Sequence, residues 1–106
     1  MLIGIDLGGS SVKAGLVDGG GKIVKRSARP TDTQKGYKYV IDCIARQAED
    51  LAAGMGGISS VGIGVPGVAD AKTGRVLRCA NLEWTDVDLG GELETRLKKN
   101  VHVEND

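Results

Sequence analysis

The stretch Leu2-Ile3-Gly4-Ile5-Asp6-Leu7-Gly8-Gly9-Ser10-Ser11-Val12-Lys13-Ala14-Gly15-Leu16-Val17 decides how the rest of the chain is read. Its apolar start, stopping at Asp6, reads as a short strand buried on both faces. Gly8-Gly9-Ser10-Ser11 reads as a turn. Val12, Ala14 and Leu16 then alternate with Lys13, Gly15 and Val17, the period of a second strand. Asp18-Gly19-Gly20-Gly21 is a hairpin signal, and Lys22 to Ala28 follow as a third strand. The chain opens with an antiparallel meander.

Beyond it the period changes. Tyr37, Val40, Ile41, Ile44, Ala45, Ala48, Leu51, Ala52 and Met55 make one apolar stripe of a helix of about 18 residues. Thr31, Asp32 and Thr33 are its cap candidates, and Gly54, Gly56 and Gly57 end it. Lys38, Asp42, Arg46, Gln47, Glu49 and Asp50 form its solvated face. Val61 to Val65 reads as another buried strand closed by Pro66-Gly67, and Val68 to Leu77 as a β-hairpin. A second helix has Asp88 as cap, Leu89, Leu93 and Leu97 as its stripe, and Lys98 and Lys99 in its last turn. Val101-His102-Val103 is the last strand. The order β-β-β-α-β-(hairpin)-α-β is that of an α/β fold. Right-handed crossovers make its first, fourth and last core strands parallel. Their carboxyl ends share one edge, where open α/β sheets bind ligands. That edge collects Asp6 with Gly8 to Ser11, Gly64 to Gly67, and Asn105-Asp106.

Composition narrows the partners. With 14 Lys+Arg against 14 Asp+Glu and no long basic block, nothing marks a nucleic-acid surface. Met1 to Leu7 has no basic leader and is interrupted by Asp6, so it reads as neither signal peptide nor membrane span. Cys43 and Cys79 stand apart, with no Cys or His at metal-ligand spacing, and read as free thiols of a cytoplasmic protein. Glycine is the outlier, 17 of 106 residues against an average of about 7%. Without a three-residue period, that excess reads as tight turns and close backbone approach to a ligand.

Two readings compete at Gly8-Gly9-Ser10-Ser11: a tight hairpin, or a cradle of backbone N–H groups and hydroxyls for phosphate with Lys13 nearby. Asp6 favours the second, since a strand-end carboxylate needs a partner, and a phosphate-bound Mg²⁺ would be one. The structural alternative is that Asp6 accepts the loop's own N–H groups. Gly62-Ile63-Gly64-Val65-Pro66-Gly67 matches G-x-G-x-x-G but leads into a hairpin rather than a helix, so it is not read as a dinucleotide site. Asn105-Asp106 is either a solvated tail or a strand-end pair in which Asp106 accepts a hydroxyl proton beside an orienting Asn105. His102 and Trp84 read as structural. No Ser/His/Asp or Cys/His constellation can be assembled.

These residues resemble a known family. Ile3 to Gly15 is similar to the phosphate-binding opening of the ROK family of bacterial sugar kinases and repressors, within the wider actin, Hsp70 and sugar-kinase superfamily. Val61 to Asp70 with Gly74-Arg75-Val76 resembles its second block. Asn81-Leu82-Glu83-Trp84, Val87, Leu89 and Val103-Glu104-Asn105-Asp106 continue the likeness in order, most like the family's glucokinases. The resemblance covers essentially the whole chain. Ser10 stands where the family often has Thr, which keeps the hydroxyl.

The resemblance implies an actin-like ATPase (ribonuclease H-like) domain, a mixed five-stranded sheet with a small β-hairpin insertion. Residues 1–106 would be the N-terminal domain of a two-domain sugar kinase, inactive alone. Asp6, Gly8, Gly9, Ser10, Ser11 and Lys13 would face the ATP phosphates and Mg²⁺. Gly67, Asn81, Asn105 and Asp106 would line the sugar, with Asp106 the general base. The implied reaction phosphorylates a hexose, glucose first, to its 6-phosphate. No metal is expected directly on these residues. A structural zinc, the Glu and His sugar ligands and the adenosine site are expected downstream. Expected partners are hexose, ATP and, at full length, a second copy of the chain. Two alternatives stay open. One is a sugar-responsive repressor, whose helix-turn-helix would precede Leu2 and is not expected there. The other is an actin-like assembly domain, against which Asn81 and Asn105-Asp106 argue.

Overall fold

The computed structural model describes residues 1–106. The elements run β1 (Leu2–Leu7), β2 (Ser11–Val17), β3 (Ile23–Pro30), α1 (Tyr37–Ala52), β4 (Ser60–Val65), β5 (Val68–Asp70), β6 (Arg75–Cys79), β7 (Trp84–Val87), α2 (Leu89–Leu97) and β8 (Asn100–Asn105). The central sheet has the order β3-β2-β1-β4-β8. Its β1, β4 and β8 are parallel, and β1, β2 and β3 are antiparallel. The expected mixed five-stranded α/β sheet is therefore present. At the β2–β3 turn, Asp18 Oδ1 accepts from the N–H groups of Gly20 and Lys22, both at 2.9 Å, and Gly21 takes a φ of 85°.

Burial corrects one expectation. The apolar runs of β1 and β4 are covered on one face only. Ile3, Ile5 and Leu7, with Val61, Ile63 and Val65, join α1 and α2 in a single core, whereas Leu2 is 46% exposed. The cause is composition: the other face of these strands carries Gly4, Asp6, Gly62 and Gly64, which offer little apolar surface to bury.

Helix α1 differs at both ends from its expected span. It is preceded by a 3₁₀ turn over Thr33–Lys35, Gly36 is its N-cap, and it ends at Ala52, leaving Met55 outside. Thr31 and Asp32 therefore do not cap it. Tyr37, expected in the apolar stripe, is 40% exposed. Gln47, expected on the solvated face, is only 2% exposed. Its Nε2 donates to the Val12 carbonyl at 3.1 Å and to Ser27 Oγ at 2.7 Å, tying the helix to β2 and β3. A buried amide is tolerated because it is satisfied.

Helix α2 is capped as expected: Asp88 Oδ1 accepts from Gly91 N at 3.1 Å. Lys98 is its left-handed C-cap, so Arg96 rather than Lys98 or Lys99 is the cation of the last turn. Arg96 also joins the helices, meeting Asp42 at 2.5 Å and Glu49 at 3.1 Å. Its hydrogen bond holds the Asp42 carboxyl below the usual carboxylate range.

The expected hairpin is a three-stranded antiparallel sheet, β5-β6-β7. The extra strand leaves no strand signal in the sequence because it is four residues long and contains Asp86 at a φ of 52°, just after Glu83 at 57°. Trp84 anchors it in the core at 3% exposure, although its Nε1 has no partner. Gly74 and Gly90 bring the β5–β6 turn against the start of α2, with Gly90 N donating to Gly74 O at 2.8 Å. Cys43 and Cys79 are free thiols. No helix is long and apolar enough to cross a membrane.

Candidate functional site

The parallel strands bring three separate pieces of sequence to one edge. Asp6 sits near the carboxyl end of β1 beside Gly64 of β4, which pairs in turn with Glu104 of β8. Asp106 continues that ladder, its N–H donating to the Val65 carbonyl at 2.9 Å. Its carboxylate lies over Gly64 and against Asp6. Desolvation there, then the charge of Asp6 and a hydrogen bond with it, push the Asp106 carboxyl above its ordinary range. Two acidic groups thus share one spot, which favours a cation or a proton between them.

Next to this pair is the β1–β2 loop. Gly8 N donates to Ser11 O at 3.0 Å, closing it as a tight turn. The alternatives of hairpin and cradle are compatible. Thr31, 1% exposed, donates from Oγ1 to Gly8 O at 2.7 Å and from its N–H to Ser10 O at 3.0 Å. With those carbonyls held inward, the N–H groups of Gly9 and Ser10 are left without carbonyl partners, a geometry suited to anionic oxygens. Lys13 stands directly opposite Asp6 on β2, exposed and in no ion pair. Asp6 is not tied up by the loop's N–H groups, since none donates to it.

The expected sugar residues approach from the turns of the small sheet and from the end of β8. Asn81, in the 3₁₀ turn after β6, packs on the loop so closely that a methyl at Gly9 would stand 3.3 Å from its Cβ. Gly67, in the β4–β5 turn, leaves no room for a side chain, because one would collide with Arg78 O and Cys79. Asn105 Oδ1 accepts from Ala69 N at 2.6 Å, fastening β8 to β5. Nine of the ten expected residues, Asp6, Gly8, Gly9, Ser10, Ser11, Gly67, Asn81, Asn105 and Asp106, therefore surround one edge, with the tenth, Lys13, at its flank.

Sequence reasoning missed Thr31, which it placed at a helix cap. The only signal was a Ser/Thr-rich stretch after a strand, and that is ambiguous. His102 lies exposed on the uncovered sheet face, away from the loop. A groove of about 630 Å³ on the same face runs between Gly4, Asp6, Lys13, Gly15 and Arg26 and meets the site only through Asp6 and Lys13.

Comparison with known proteins agrees with this arrangement. The model of the ROK family matches residues 2–106. A glucokinase of Thermotoga maritima is 41% identical over 106 residues, covering 99% of this chain and 33% of its own. A putative xylose repressor of a Caldicellulosiruptor species is 32% identical over 110 residues, covering 100% of this chain and 28% of its own. A crystal structure of a ROK family glucokinase from Streptomyces griseus, in complex with glucose and AMPPNP, has a TM-score of 0.89 at 32% identity, covering 98% of this chain and 32% of that one. The chain spans about a third of the length of the curated relatives it matches.

Proposed function

The chain belongs to the ROK family and has its actin-like sugar-kinase fold, and from that premise we propose that residues 1–106 are the N-terminal domain of a two-domain, cytoplasmic hexose kinase. The reaction is ATP-dependent phosphorylation of a hexose, glucose first, at its 6-hydroxyl. One observation carries the reading: the Asp106 carboxylate stands beside Asp6 at the same sheet edge as the Thr31-held loop. A base, a cation partner and a phosphate cradle are thus side by side. The glucose and nucleotide of the Streptomyces griseus complex support the choice of ligands.

The residues fit an ATP–Mg²⁺ complex on their own chemistry. Asp6 has no cation in the chain, and the Gly9 and Ser10 N–H groups have no carbonyl. Bound there, Mg²⁺ would neutralise charge on the phosphates. Gly8 and Gly9 keep the loop bare so that backbone N–H groups reach the phosphate oxygens. Ser10, Ser11 and Lys13 add hydroxyls and a positive charge. Asn81, Asn105 and the Gly67 turn hold the hexose so that its hydroxyl meets Asp106. Asp106 then takes the hydroxyl proton as the hydroxyl oxygen attacks the γ-phosphorus in line, while the bond from that phosphorus to the β-phosphate oxygen breaks and ADP leaves. Its raised carboxyl pKa brings its basicity closer to the working pH. The residues that close over the sugar and bind adenosine belong to the rest of the protein, as would any structural zinc, so this domain alone turns nothing over.

The test is a coupled ADP-release assay on the full-length protein across a panel of hexoses. Asp106→Asn is expected to lower kcat by about 10²–10⁴-fold while hexose binding survives. Unchanged turnover in that variant removes Asp106 from the chemistry. One observation favours a second reading, a sugar-responsive repressor: the identity to the xylose repressor over the whole chain. A full-length protein that binds hexose, releases no ADP and binds DNA in a hexose-dependent way would establish it.

A further inference from the structure

The two acidic groups of the site meet above a residue with no side chain. Gly4, Gly62 and Gly64 all face the uncovered side of the sheet. They are not equivalent. A methyl added at Gly4 or Gly62 meets nothing within 4 Å. At Gly64 the same methyl would overlap Oδ1 of Asp106 and stand 3.3 Å from its Cγ. Backbone conformation does not demand glycine at position 64, because its φ is not positive. What a side chain at that position would displace is the Asp106 carboxylate.

We propose that Gly64 is a positioning residue for phosphoryl transfer: its bare Cα is the bed on which the Asp106 carboxylate lies, and that bed sets the direction from which the base meets the sugar hydroxyl. The inference rests on reading Asp106 as the base. The backbone of Asp106 is already fixed by its bond to Val65 O. Side-chain rotation is therefore its remaining freedom. Gly64 below and Asp6 beside it bound that rotation on the side facing the sheet. A methyl at position 64 would lift the carboxylate toward ordinary contact at ~3.5 Å or more. Displacements of about 1 Å in a reacting group can cost on the order of 10²-fold in rate.

The experiment compares Gly64→Ala with Gly62→Ala in the full-length protein, using ATP and glucose as substrates. Gly64→Ala is expected to lower kcat on the order of 10²-fold with KM for ATP unchanged, and Gly62→Ala to leave kcat near that of the parent. In an Asp106→Asn background, Gly64→Ala is expected to add no further loss, because the group it positions is already gone. Crystal structures of the parent and Gly64→Ala proteins should differ in the place of the Asp106 carboxylate. The proposal is overturned by full kcat in Gly64→Ala, by equal losses in the two alanine variants, by additive losses in the double variant, or by an unmoved carboxylate. A parent protein that phosphorylates no hexose overturns the functional reading instead, and the pair of crystal structures still decides the place of the carboxylate.

Discussion

The two faces of the central sheet are made by the same strands and obey opposite rules. On one, Ile3, Ile5, Leu7, Val61, Ile63, Val65, Val101 and Val103 are all buried against α1 and α2. On the other, their sequence neighbours are Leu2, Gly4, Asp6, Gly62, Gly64, His102 and Glu104, none of them buried. The packed face spends its side chains on stability. The bare face leaves backbone and carboxylates accessible, and the site occupies its carboxyl end. A strand with period 2 can serve both purposes because each residue belongs to one face alone.

The sharpest way to break this contrast is a matched pair of truncations. Leu7→Ala, at a fully buried position, is expected to lower stability by about 2–5 kcal/mol. Leu2→Ala, at the other end of β1 and on the bare face, is expected to cost less than about 1 kcal/mol. Denaturant titration measures both, and equal losses would mean that the two faces are energetically alike. A smaller effect tests the join between core and loop. Thr31→Val keeps the shape but strands the Gly8 carbonyl, a loss of about 1–3 kcal/mol. That variant should also weaken ATP binding more than hexose binding, which isothermal titration would resolve.

The smallest effect has a sign that the packed face would not give. Folding raises the Asp106 carboxyl pKa, so its ionised form is disfavoured in the native state. The penalty is fully present above the raised native pKa and vanishes below the ordinary unfolded value. Asp106→Asn should therefore slightly stabilise the protein at neutral pH, with the gain disappearing as pH falls from the raised native value to the ordinary unfolded one. Thermal melts across that range measure it. Loss of stability at neutral pH would mean that the carboxylate is favourably held instead.

How much of this was legible depends on the range of the interaction that decides each residue. The Asp18 turn and the Asp88 cap close within a few residues, and sequence alone locates both. The parallel edge follows from two crossovers of fixed hand, so the sequence pattern alone brings Asp6, Gly64 and Asn105-Asp106 together. Gln47 could not: its burial depends on Val12 and Ser27, 35 and 20 residues away. Thr31 holds a loop 23 residues earlier. β7 pairs only through β6 and bends through a left-handed Asp86 that ordinary strand propensity disfavours. The bare face misled for a different reason. An apolar run interrupted by glycine looks like continuous burial, because glycine counts as neither polar nor packed.

The bond between Asn105 and Ala69 fixes the polarity of everything next to it. A backbone N–H can be met only by the amide oxygen, so Asn105 has its NH₂ group left to offer. Whatever that NH₂ group touches must then be an acceptor. A sugar hydroxyl that receives a hydrogen bond there keeps its own proton, and it must donate that proton to another neighbour. The adjacent residue in the chain, Asp106, is an acceptor when ionised. In the proposed hexose site the amide's orientation would give the hydroxyl a direction, with its lone pair toward Asn105 and its proton toward Asp106.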